Sequence, residues 1–139
     1  MTKLAGTITI LLTLALAGLV PACGGGTDPP DCVGSSCTCT EGGSCDITDS
    51  SCGTDSCSLD CANDSDCSGT CGESCSIDCT DGATCTVTIG ASGSVSCASG
   101  ATCDVTCTDS CSVSCDSATC TLTCADGESR SIPEGGSCQ

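Results

Sequence analysis

Cysteine is the residue whose number and spacing could do chemistry in this chain: there are 21 in 139 residues. A cysteine sulfur can ligate a soft metal, act as a redox or nucleophilic thiolate, or close a disulfide. Spacing separates these uses. Metal clusters and redox pairs favour CxC and CxxC, because short spacing brings neighbouring sulfurs to one metal or one bond. Here CxC occurs once, at Cys37 and Cys39, and CxxC does not occur. The dominant spacing is CxxxC. In an extended strand those two sulfurs stand about 13 Å apart. They cannot bond each other, so the cysteines are expected to join different segments.

Little else on offer is reactive. The chain has no His, Phe, Trp or Tyr. Its basic residues are Lys3 and Arg130, against 18 acidic residues, for a net charge of -16. Without His the usual proton shuttle is missing. Without aromatics or a basic patch there is no platform for bases or grip for phosphates. We therefore expect no enzyme, no catalytic residue, no cofactor and no nucleic-acid partner. High cysteine without aromatics or His resembles metallothioneins, but those are rich in Lys and in CxC and CxxC. The run Asp64-Ser65-Asp66-Cys67-Ser68-Gly69 resembles the first half of an EF-hand loop. That makes Asp64 and Asp66 candidate calcium ligands, although Cys75 stands where such a loop has its bidentate Glu. The run from Cys61 to Cys71 also resembles a small disulfide module of secreted proteins.

Residues 1–22 read as a secretory signal. Lys3 gives the positive start, and Ile8 to Val20 is a mostly apolar run of suitable length. Leu19-Val20-Pro21-Ala22-Cys23 resembles the lipobox of bacterial lipoproteins: an aliphatic residue at minus three, a small one at minus one, then Cys. That resemblance implies cleavage before Cys23, its thioether lipidation and acylation of the new N-terminus. It implies the membrane, through the lipid anchor, as a partner. Gly24 after the Cys implies the outer membrane or cell surface rather than inner-membrane retention. With Cys23 set aside an even number of cysteines remains, as a closed disulfide set requires. Residues 23–31 (CGGGTDPPD) read as the lipidated Cys and a flexible tether.

Residues 32–139 then form a cysteine-rich domain. Eleven branched aliphatic side chains, from Val33 to Ile132, are too few to offset the chain entropy of an ordinary globule. The composition is that of a disulfide scaffold. Its clearest repeats, over 57–124, read CSLDC, CSGTC, CSIDC, CTVTI, GSVSC, CDVTC, CSVSC and CTLTC. Alternation at period two predicts strands with both Cys and the central residue on one face. The central residues recur at about 18 positions per two strands, with short and longer turns alternating between them. This predicts an all-β fold: a small disulfide-stapled β-roll or parallel β-solenoid of about 18 residues per coil, with an antiparallel β-meander as the alternative. In design principle it resembles the disulfide-threaded solenoids of insect antifreeze proteins, with a different period. Outward Ser and Thr pairs such as Thr86/Thr88 and Thr121/Thr123 would line its faces.

Two pairing schemes follow. Stacking between coils would join Cys61 to Cys79 and Cys67 to Cys85, but Cys71 and Cys111 would then face Ile89 and Gly93. Pairing across turns joins Cys61–Cys67, Cys71–Cys75, Cys79–Cys85, Cys97–Cys103, Cys107–Cys111 and Cys115–Cys120. The one missing bridge, 89–93, then lacks both partners together. Extension gives Cys32–Cys37, Cys39–Cys45, Cys52–Cys57 and Cys124–Cys138. The functional expectation is a non-enzymatic, lipid-anchored cell-envelope protein with a structural or interaction role. The alternative is an extracytoplasmic binder of calcium or a soft metal. The sequence names no protein partner.

Overall fold

Each repeat alternates a residue that belongs in a core with one that belongs in water, and the strands of the repeats are buried on one face only. In β10 (Cys111–Cys115) the buried and exposed side chains alternate strictly, and β8 (Gly93–Cys97) repeats that pattern. The computed structural model describes residues 31–33, 35–47 and 56–139. Among these no segment is helical. The strands are β1 (Asp31–Val33), β2 (Ser36–Cys39), β3 (Ser44–Asp46), β4 (Ser58–Cys61), β5 (Asp66–Cys71), β6 (Ser76–Cys79) and β7 (Thr84–Ile89). They continue with β8, β9 (Thr102–Cys107), β10, β11 (Thr119–Thr123), β12 (Ser129–Ser131) and β13 (Gly136–Cys138).

Two strands make a coil, and coils stack to give a parallel β-solenoid of about 18 residues per turn. One sheet runs β1-β2-β4-β6-β8-β10-β13, and the other runs β12-β11-β9-β7-β5-β3. Ser58, Ser76, Ser94 and Ser112 are in register at that spacing, strand against parallel strand. An antiparallel meander is therefore not what forms. The first coil is offset by more: Ser36 pairs with Ser58. The last shortens by one, since Thr102 pairs with Thr119.

The core is thin and lies between the two sheets. Leu59, Ile77, Val95 and Val113 form one inward column; Val87, Val105 and Leu122 form the facing one, continued by Gly69. Cysteines from both sheets fill the space beside them, nearly all inaccessible to solvent. Cysteine here is both a cross-link and a small apolar filler. One aliphatic counted as core material is not: Val33 is 82 % exposed, on β1 at the edge of its sheet among the described residues.

Among the described residues, antiparallel strands cap both ends of one sheet and the C-terminal end of the other. β1 folds back on β2, β12 on β11 and β13 on β10. These caps occupy backbone edges that would otherwise template further strands. Asp31, the first described residue, already lies in β1. Arg130 ties the C-terminal caps together: its Nη2 donates to the Ser137 carbonyl at 2.7 Å.

Candidate functional site

The solenoid has two turn edges, and the cysteines concentrate there because the strand pattern places a Cys at each strand end. At the broad edge the turns hold five residues, or four in the last coil. The third residue of each five-residue turn takes a left-handed conformation, Gly42, Asp64, Gly82 and Gly100, as does Ser117, the second residue of the four-residue turn. The next position is inward and small: Ala83, Ala101 and Ser65 are essentially inaccessible. Ser65 places its Oγ 3.9 Å from the Cys67 sulfur. Backbone hydrogen bonds run from turn to turn along the stack. Thr84 donates to the Ser65 carbonyl and Thr102 to that of Ala83. Bridges and turns therefore repeat at the strand spacing of about 4.8 Å.

Every bridge among the described residues joins cysteines across a turn or within an end cap. At the broad edge Cys39–Cys45, Cys61–Cys67, Cys79–Cys85, Cys97–Cys103 and Cys115–Cys120 span Cα separations of 5.9, 6.3, 6.6, 6.6 and 6.5 Å. At the narrow edge Cys71–Cys75 and Cys107–Cys111 span 6.2 and 6.0 Å. These lie within the range a disulfide can close. Cys32–Cys37 and Cys124–Cys138 staple the caps. Cys57 is buried and disulfide-bonded. Its expected partner Cys52 lies outside the described residues, as do Cys23 and the signal segment. So many bridges belong to an oxidising, extracytoplasmic compartment.

The broad-edge bridges form a ladder. Parallel register sets Cys67 beside Cys85, Cys85 beside Cys103, and Cys103 beside Cys120. Sulfurs of Cys61, Cys67 and Cys85 lie within 4.8 Å of one another. The same holds for Cys79, Cys85 and Cys103, and for Cys97, Cys103 and Cys120. At the other edge Cys107, Cys111 and Cys138 make a fourth such group. A search for CxC and CxxC overlooks these groups because their members are neighbours between coils. The signal was present in the 18-residue recurrence of Cys itself.

Asp64 and Asp66 are both exposed, on either side of the inward Ser65. Among the described residues the structure does not bring them to a third carboxylate, and the ligand groupings it forms are those of cysteine sulfurs. The narrow edge carries an open cleft of about 480 Å³ lined by Cys71, Ile89 and Gly90, with Glu73 and Asp109 also lining it. It lies between the two narrow-edge bridges.

The outward faces differ. The sheet containing β5, β7, β9 and β11 presents a grid in which Thr70, Thr88, Thr106 and Thr123 form one unbroken column. Thr84, Thr102 and Thr119 extend a second, while Asp104 sits between Thr86 and Thr121 in a third. The opposite sheet presents Ser58, Ser76, Ser94 and Ser112, with Asp60 beside Asp78. No family model, curated protein or solved structure matches the chain.

Proposed function

We propose that this protein is a non-enzymatic, lipid-anchored component of the cell envelope, with a structural or interaction role at the outer membrane or cell surface. The observation that carries the reading is the bridge at nearly every turn of the solenoid. A domain stapled in this way keeps its shape outside the cell without a large core. The lipobox-like run ending in Cys23 supports the anchor, since two or more acyl chains hold a protein firmly where one does not. The Gly, Pro and Asp of residues 24–31 suit a spacer between lipid and solenoid. The rigid hydroxyl grid of the β5-β7-β9-β11 sheet is the surface such a domain would present. The acidic surface favours cations over anionic partners.

Detergent phase partitioning of native membranes tests the reading. The wild-type chain is expected in the detergent phase, and Cys23→Ser as an uncleaved or aqueous-phase form. Wild-type protein recovered from the aqueous phase overturns the anchor.

A further inference from the structure

The stacked bridges hold a second chemistry that appears when they are opened. We propose that the cysteine ladder, in its reduced form, is a thiolate column that binds soft metal ions. One ion would sit in each sulfur triad, with Cys85 and Cys103 each shared between two ions. In each broad-edge triad two sulfurs are bridge partners, Cys61–Cys67, Cys79–Cys85 and Cys97–Cys103, and the coil stacking brings in the third from the next coil. Cys67, Cys85 and Cys103 are held in line by the parallel backbone register of β5, β7 and β9. The triads Cys61/Cys67/Cys85, Cys79/Cys85/Cys103 and Cys97/Cys103/Cys120 therefore overlap at two sulfurs. Overlap of this kind is how thiolate clusters place several ions on few ligands, each shared sulfur bridging two of them.

The ligand set selects the ion. All the members are sulfur; those of the three broad-edge triads are 2 % exposed or less, and Cys111 and Cys138 of the fourth are 6 % exposed. Soft thiolates in a dry setting favour Cu(I), Cd(II) or Zn(II) over calcium or magnesium. Reduced cysteines buried together also need a cation if they are to ionise at all. The redox step balances simply. A small dithiol gives two electrons and two protons to each bridge, yielding two thiols and its own cyclic disulfide. Metal binding then displaces a proton from each ligating thiol.

Binding is tied to folding by the spacing. In an unfolded chain Cys67 and Cys85 are 18 residues apart, and no CxxC offers a local chelate. Only the coiled chain assembles the triads, so the metal restores the cross-links that reduction removes. The test uses the full mature chain, reduced anaerobically with a dithiol, desalted and titrated with Cd(II). Circular dichroism follows the β signal and native mass spectrometry counts the ions. We expect the β signal to return as four ions bind, one for each triad. Cys103→Ser and Cys85→Ser should each lose two ions, Cys61→Ser one, and Cys71→Ser, which belongs to no triad among the described residues, none. Because every variant is compared in the reduced state, mispaired disulfides do not enter. Absence of binding overturns the proposal. So does binding without return of β signal, or equal losses in Cys103→Ser and Cys71→Ser.

Discussion

Installing Ile89→Cys together with Gly93→Cys should add a bridge to the narrow edge. Ile89 pairs with Cys71 on one side and Cys107 on the other, and Gly93 pairs with Cys111. On the remaining side Ser94 donates to the Cys75 carbonyl. The two positions thus sit between bridges of the same sequence separation, Cys71–Cys75 and Cys107–Cys111. Ile89 is fully buried, and a Cβ on Gly93 would stand 3.2 Å from its Cδ1. The isoleucine therefore fills the space that two sulfurs take in the neighbouring coils. Replacing it by Cys removes about two buried carbons, roughly 1.6 kcal/mol of transfer energy, and some cavity loss adds to that. Closing so short a loop returns about 2 kcal/mol in the chain-entropy model. The double variant should therefore unfold within about 1 kcal/mol of wild type. Ile89→Cys alone should lose about 2 kcal/mol. Gly93→Cys alone crowds the retained isoleucine and should lose about 1–3 kcal/mol. Urea unfolding by circular dichroism gives the stabilities, and thiol titration of the denatured oxidised protein gives the pairing. One extra free thiol in each single variant and none in the double is expected. Two free thiols in the double, or displacement of either neighbouring bridge, would show that positions 89 and 93 are not placed to pair.

Two further outcomes follow from the same geometry. Gly100 sits at φ 82° with no atom closer than 3.6 Å to a Cβ placed there, so Gly100→Ala should lose about 1 kcal/mol through backbone conformation alone. At Gly135, φ 113°, a Cβ would stand 2.6 Å from the Val113 carbonyl oxygen and 3.2 Å from the Ser114 Cα; Gly135→Ala should lose clearly more, and equal losses in urea unfolding would contradict this. Full reduction and alkylation in the presence of a chelator should abolish the β signal, since the aliphatic columns are too short to hold the coils without bridges; a retained β spectrum would show that the core suffices.

The repeating part of the fold is written openly in the chain. A Cys at both ends of a strand with an aliphatic between them states which face is inward, and 13 Å between the two sulfurs directs each to a different strand. The paired absence of Cys at 89 and 93 points to bridges across turns. What could not be read lies where the period breaks. β12 is fully exposed and shows no alternation, so nothing in Ser129-Arg130-Ser131 marks it as a cap. Val33 has the side chain of a core residue but sits on an edge strand, and hydrophobicity alone does not reveal that. The offset of the first coil, Ser36 against Ser58, hides its membership of the stack. The sulfur triads were obscured because ligand motifs are usually sought along the chain, whereas these arise between turns of it.

A parallel solenoid clamped across its turns fixes which cysteines pair, and the disulfide map of the oxidised protein reads that pairing. Cleavage at acidic residues suits it, since Asp64 and Asp66 separate Cys61 from Cys67, Asp81 separates Cys79 from Cys85, and Asp109 separates Cys107 from Cys111. Mass spectrometry of the linked fragments should find Cys61 joined to Cys67, Cys79 to Cys85 and Cys107 to Cys111. Fragments joining Cys61 to Cys79, or Cys67 to Cys85, would contradict it.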